Sequence, residues 1–141
     1  MTFAIRAFDE SDTDAVVELW RDAGLTRPWN DPHADIERKL TVQPELFLVA
    51  EDAGRIVGSV MAGYDGHRGW IYYLASAADR RGEGIGRALL AHAEQLLQAM
   101  GCPKVQLMVR TENAAVMAFY DRNGYERFEV GMAGKRLIAD A

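Results

Sequence analysis

Arg80-Arg81-Gly82-Glu83-Gly84-Ile85-Gly86-Arg87 is the stretch on which the reading of this chain turns. The aromatic, apolar run Trp70 to Ser76 precedes it, and the amphipathic run Ile85 to Met100 follows. A strand, a glycine-rich turn and a helix, in that order, present backbone N–H groups to an anion. Three arginines fall within these eight residues of a chain whose formal net charge is −5. Positive charge concentrated at a glycine-rich helix start points to a phosphate-bearing ligand. The plain alternative is a tight turn with solvated arginines.

Spacing narrows the ligand. A dinucleotide-binding turn needs its third glycine one position later, where Arg87 stands, and follows the first strand of a βαβ unit. A Walker-type loop needs Gly-Lys-Ser/Thr, which is absent.

Outward from the turn, the pattern is one of short strands and amphipathic helices. Phe3 to Phe8 reads as a strand. Ser11-Asp12-Thr13-Asp14 resembles a capping box with Asp in place of the usual Glu. Val16, Val17, Leu19 and Trp20 give the stripe of a first helix, which Gly24 ends. Asp31 caps a second helix with Pro32 at its first position, and Pro44 bars its continuation. Leu46 to Glu51 and Ile56 to Tyr64 are strands joined by a hairpin-length turn. Ile85, Leu89, Leu96 and Met100 mark the helix after the glycine turn. Val105 to Val109 reads as a buried strand, and Asn113 opens a helix with Val116, Phe119 and Tyr120 on one side. Tyr125 to Val130 and Lys135 to Ile138 read as two last strands. The order βααβββαβαββ predicts an α/β fold of the mixed α+β kind. It has one mixed sheet of six to seven strands, with about four helices on its two faces.

Bulk properties exclude several classes. The 141 residues suit a single domain, 1–141. An acidic balance argues against broad nucleic-acid binding, which needs an extended basic surface. Cys102 is the only cysteine, so no internal disulfide forms. No stretch approaches the roughly 18 apolar residues of a membrane span, and the first residues lack the pattern of a signal peptide. The expectation is a cytoplasmic protein without membrane contact. Its three histidines and one cysteine show no metal-ligand spacing, so no metal is expected.

Arg81-x-x-Gly84-x-Gly86, after Leu74-Ala75-Ser76, resembles the acetyl-coenzyme A loop of the GNAT family of N-acetyltransferases. Farther on, Asn113-x-x-Val116-x-x-Phe119-Tyr120-x-x-x-Gly124-Tyr125 is similar to that family's second signature. Arg27-Pro-Trp-Asn-Asp-Pro32 and Gly63-Tyr-Asp-Gly-His-Arg-Gly69 look like its bacterial YpeA-type subfamily. Departures are modest: Ser76 stands where Val is common, Ala78 where Pro is common, and Val116 where Ala is usual.

The resemblance implies a sheet splayed between its fourth and fifth strands. It also implies acetyl-coenzyme A as acyl donor to a primary amine, by direct attack through a tetrahedral intermediate. Arg81, Gly82, Glu83, Gly84, Ile85, Gly86 and Arg87 would cradle the pyrophosphate, with Arg80 adding charge. Leu74, Ala75 and Ser76 would bond the pantetheine arm through their backbone, and Asn113 would hold it from the other side. Tyr120 would touch the cofactor and act as general acid, a phenol of ordinary pKa about 10 being protonated at neutral pH. The strand Trp70 to Ser76 carries no acid or histidine, which leaves the general base open among Glu51, Asp31, Asp65 and His67, directly or through a water. Trp29, Asn30, Asp31, Asp65, His67 and Arg68 would face the acceptor, a small amine or amino acid or a protein N-terminus or lysine. Tyr72 and Tyr73 point to opposite faces of their strand, so that one lines the cleft. A non-catalytic acyl-coenzyme A sensor is the alternative, and a nucleotide-binding domain a weaker one. A monomer or homodimer is expected.

Overall fold

The structure is a computed structural model, described here over residues 2–140. Four helices and five strands form in the order β1 (Ala4–Ala7), α1 (Thr13–Asp22), α2 (Pro32–Lys39), β2 (Phe47–Asp52), β3 (Arg55–Tyr64), β4 (Gly69–Ser76), α3 (Ile85–Ala99), β5 (Val105–Gln106) and α4 (Ala114–Arg122). The strands lie in the sheet as β1-β2-β3-β4-β5. Pairs β1/β2, β2/β3 and β3/β4 are antiparallel, whereas β4/β5 is parallel. The sheet is therefore mixed, as the pattern of hairpins followed by a helical crossover predicts.

Side chains alternate across β3, and the two faces take different helices. On one face α1 buries Val16, Val17, Leu19 and Trp20. Trp20 stacks on Tyr73 of β4, ring centroids 3.7 Å apart, and lies 6.1 Å from Phe47 of β2. On the other face α3 buries Ile85, Leu89, Leu90, Ala93 and Leu97. Each such leucine contributes about 1.5–3 kcal/mol by leaving water. Gly58 of β3 makes that packing close. A Cβ there would stand 2.6 Å from Ile85 Cγ2, 2.8 Å from Leu89 Cδ1 and 3.2 Å from the Ala75 carbonyl oxygen.

The first helix is entered differently from what its sequence suggests. Ser11-Asp12-Thr13-Asp14 is not the capping box. Asp9 caps a 3₁₀ turn, Glu10–Asp12, that runs directly into α1. Asp9 N–H donates to Asp12 Oδ2 at 2.8 Å, and Ser11 N–H donates to Asp9 Oδ2 at 3.0 Å. Asp12 wins because Arg6 of β1 grips both its oxygens, at 2.7 and 2.9 Å. That bidentate pair ties the first strand to the first helix.

The far end of the chain departs from expectation. The strand foreseen at Val105 to Val109 shortens to Val105–Gln106. The two last strands, Tyr125 to Val130 and Lys135 to Ile138, do not form, so the sheet has five strands rather than six to seven. A two-residue β5 offers almost no ladder to extend, and alternation alone supplies no partner. Phe128, Val130, Met132, Leu137 and Ile138 consequently stay exposed. The segment is pinned instead by side chains. Arg136 donates to the Trp29 carbonyl at 2.7 Å, and Asp140 accepts from Arg38 at 2.6 Å and from Asp31 N–H at 2.8 Å.

Gly58→Ala is expected to lower stability by about 1–3 kcal/mol through overpacking against α3, read by urea denaturation with an unchanged m-value. The Arg6 guanidinium holds the Asp12 carboxyl below its ordinary range. A depressed folded pKa gives stability that is complete above the unfolded value, about 3.9, and is lost as pH falls through the folded one. The Tm gap between wild type and Asp12→Asn should thus be constant at pH 5–7 and shrink below about pH 4.

Candidate active site

The glycine turn delivers the geometry that its composition suggests. β4 ends at Ser76, a 3₁₀ turn covers Ala78–Arg80, and α3 begins after Gly84. Gly82 and Gly84 both lie in the left-handed region, φ +83° and +82°, where an L side chain is strained. Gly84 is the N-cap of α3 and has no side chain to cap it. Ala88 N–H is the first to bond back, to the Gly84 carbonyl at 3.0 Å. The N–H groups from Gly82 to Arg87 have no protein acceptor among the described residues. A row of open donors at the positive end of a 15-residue helix is an arrangement that suits an anion.

The arginines divide their roles. Arg80 does not add charge to the turn. Its Nε donates to both Glu83 oxygens, at 2.9 and 2.8 Å, and its other nitrogens reach Asp52 at 2.8 Å and Thr2 at 3.0 Å. It neutralises Glu83, the one acid inside the turn, and fastens the turn to the β2–β3 hairpin. Asp79 is likewise matched by Arg55, at 2.7 and 2.8 Å. Arg81 and Arg87 are exposed and make no ion pair among the described residues.

Beside this turn the sheet opens. β4 and β5 pair only at Gly69↔Val105 and Trp70↔Gln106. Beyond Trp70, β4 continues to Ser76 with no strand on that edge among the described residues, so Leu74, Ala75 and Ser76 lie along an edge that β5 leaves unpaired. The β3/β4 register slips between Ser59 and Met61, and Tyr73 and Leu74 together oppose Val60. Tyr73 takes φ +51° in this bulge, rare for an aromatic residue.

The second signature docks on the first. Asn113 caps α4, accepting from Val116 N–H at 3.4 Å. The Phe119 ring lies over Gly86 of α3, 3.6 Å from where a Cβ would stand. Tyr120 is buried at 6% exposure against Phe119 and Tyr125, and Tyr125 donates to Glu94 of α3 at 2.6 Å. Burial pushes the Tyr120 phenol up to about 12. Its hydroxyl has no protein partner, yet no buried side-chain oxygen lacks one among the described residues. The hydroxyl is therefore the solvent-reachable tip of an otherwise buried side chain.

The residues foreseen on the acceptor side fall into two groups. Asn30 and Trp29 lie on the α1–α2 connection, with Trp29 61% exposed. Asn30 Nδ2 donates to Asp35 Oδ2 at 2.6 Å and to the Tyr73 hydroxyl at 3.2 Å. Asp31 spends a carboxylate oxygen on His33 N–H as the α2 cap. Asp65, His67 and Arg68 occupy the β3–β4 loop at the opposite end of β4 from the glycine turn. Asp65 accepts from the N–H groups of Arg68 and His67 at 2.7 and 2.8 Å and from Trp70 at 3.2 Å, which holds its carboxyl below the usual range. His67 is exposed, and Arg68 donates to its carbonyl at 3.0 Å. Glu51 accepts from Arg6 at 3.1 Å, at the hairpin end of β2.

Sequence reading missed Asp35, Trp20 and Ser59 at this site, and it had no signal for the bulge. Tyr73 donates to Asp35 at 2.6 Å, which together with burial drives the phenol well above its ordinary value. Trp20 Nε1–H donates to Ser59 Oγ at 2.9 Å, and Ser59 Oγ–H donates to the Tyr73 carbonyl at 2.8 Å. Tyr72, the other tyrosine of the pair, is 43% exposed.

Residues 13–125 match the acetyltransferase (GNAT) family. The chain is 55% identical over 136 residues to acetyltransferase YE1169 of Yersinia enterocolitica, covering 96% of each, and equally similar to acetyltransferase ECA0875 of Pectobacterium atrosepticum. Among solved structures it resembles Ard1 of Thermoplasma volcanium, with TM-score 0.73, 27% identity and coverage of 88% and 82% of the two chains. A chain of the NatC complex, solved with a Gag peptide and CoA, is similar at TM-score 0.80, 25% identity and coverage of 92% and 87%. An open anion turn, a parted sheet and a tyrosine helix docked beside them agree with these likenesses, and the chain belongs to the GNAT family of acetyl-coenzyme A-dependent N-acetyltransferases.

Proposed function

We propose that the chain acetylates a primary amine, carried by a small molecule or a peptide, in the cleft between β4 and α4. The observation that carries this reading is the row of unbonded N–H groups from Gly82 to Arg87, set at the end of a β4 edge that β5 leaves open. Arg81 and Arg87 supplement those donors at the pyrophosphate. Leu74, Ala75 and Ser76 offer backbone groups to the arm, and Asn113 and Tyr120 close the cleft from α4. When bound, the donor supplies an activated acyl group on a thioester.

The protein's own residues do the rest. Backbone donors at the β4 bulge stabilise negative charge growing on the carbonyl oxygen. The Tyr120 hydroxyl, free of protein partners and protonated at neutral pH, gives its proton to the departing sulfur. A pKa of about 12 leaves the phenol fully in its donor form across the working range. Trp29 and Asn30 face the incoming amine from the α1–α2 connection, which is open to solvent at Trp29. Among the base candidates, Asp65, Glu51 and Asp31 already accept hydrogen bonds within the protein, which leaves the His67 side chain or a water to take the amine's proton. Likeness to a NatC chain solved with a peptide supports a peptide amine as one acceptor worth first trial.

Tyr120→Phe should lower kcat by about 10²–10⁴-fold, as loss of a general acid does, while the Kd for acetyl-coenzyme A by calorimetry stays close to wild type. Unchanged turnover would remove Tyr120 from proton transfer. Gly84→Val should weaken acetyl-coenzyme A binding by about tenfold or more, because a β-branched residue resists a left-handed φ and the turn must re-form. Equal affinity, with circular dichroism showing an intact fold, would contradict the cradle. A free-thiol release assay over pooled amines and peptides identifies the acceptor. Tight binding without thiol release from any of them would favour a sensor.

A further inference from the structure

We infer that Ser59, a residue of β3 that touches neither ligand, is a positioning residue for the acyl group, acting through the carbonyl of Tyr73. The inference rests on the donor cleft just proposed and adds to it. Ser59 and Trp20 are both 0% exposed. Trp20 Nε1–H donates to Ser59 Oγ at 2.9 Å, and the hydroxyl's single proton is thereby committed to the Tyr73 carbonyl at 2.8 Å. Two hydrogen bonds in series, the first buried and the second part-buried, polarise and fix one another.

The carbonyl they seize belongs to a residue that needs holding. Tyr73 sits at φ +51° in the β4 bulge, and such a conformation persists only where the surroundings over-determine it. The surroundings do so at both ends: Ser59 takes the backbone, while Asp35 accepts the phenol proton at 2.6 Å and Trp20 covers the ring. The consequence follows from peptide geometry. The C=O and N–H of one trans peptide point opposite ways. Turning the Tyr73 carbonyl toward Ser59 therefore aims the Leu74 N–H away from Ser59 and β3. That is the edge of β4 from which β5 has parted, where the thioester carbonyl of the proposed donor lies. Without Ser59 the peptide plane loses its anchor, and the Leu74 donor loses its aim.

Isotope-edited infrared spectroscopy of bound acetyl-coenzyme A carrying carbonyl ¹³C tests this without an acceptor. In the wild type the thioester carbonyl band should lie below its frequency in solution. In Ser59→Ala it should return toward the solution value. Kd for coenzyme A, which lacks the carbonyl, should change by less than about twofold, and kcat should fall by about tenfold or more while KM for acetyl-coenzyme A moves little, a smaller loss than removal of an oxyanion donor itself. Trp20→Phe keeps the ring stack and removes the first bond. It should shift the band in the same direction by less, and it carries the comparison if Ser59→Ala does not fold. An unshifted band in folded variants would overturn the inference, leaving the donor reading intact. Failure of the wild type to bind acetyl-coenzyme A would overturn the donor reading and this inference with it.

Discussion

Backbone hydrogen bonds left unmade are the constraint on which this structure depends. Folded chains pair nearly all their backbone donors and acceptors, and this one leaves two adjoining sets of them open beside the Arg–Gly turn. The α3 N-terminus keeps its donors because Gly84 caps it without a side chain. The outer edge of β4 is bare because β5 leaves after two residue pairs. Both openings adjoin the Arg–Gly turn, so the proposed donor, an extended ligand with an anionic middle and a polar arm, would satisfy them together. Much else in the fold keeps this region open and rigid: Arg80 latching Glu83 to the hairpin, α3 pressed on Gly58, and Phe119 set over Gly86.

In the proposed reaction the two faces of the sheet would serve the two halves of the chemistry. α3 and α4 would form the donor side, joined by Phe119 on Gly86 and by Tyr125 on Glu94. α1, α2 and their connection form the other side, where Asn30 and Asp35 meet Tyr73. Tyr73 belongs to both, its backbone in the strand that borders the donor cleft and its phenol in the α1–α2 network. The C-terminal segment reinforces that network through Arg136 on Asn30 and Trp29 and through Asp140 on Arg38 and Asp31.

Features set by local spacing were legible in the sequence. Glycines before an amphipathic run gave the open helix start, and Asn113 ahead of Val116, Phe119 and Tyr120 gave the second helix with its cap. What depended on distant partners was not. Arg80 reads as one more cation in a basic cluster, but its acids are Asp52 and Glu83, and Asp52 comes to it only through the hairpin. The capping box moved from Ser11 to Asp9 because Arg6, on another element, selects Asp12. The last strands were foreseen from alternation, and alternation does not supply an edge to pair with. The bulge at Tyr73 leaves no local mark, since nothing about Tyr73 itself asks for a left-handed φ; Ser59, Trp20 and Asp35 impose it from three other elements.

In the proposed reaction the amides from Gly82 to Arg87 receive the donor's pyrophosphate. Residue-resolved amide hydrogen exchange, with and without coenzyme A, addresses those groups directly. Open donors at a helix start exchange fast when free and slow when bonded. Fast exchange is expected at these residues in the free protein, and marked protection when coenzyme A is bound, larger than in the β3–β4 loop at Asp65 to Arg68. Protection that appears elsewhere and spares Gly82 to Arg87 would contradict it.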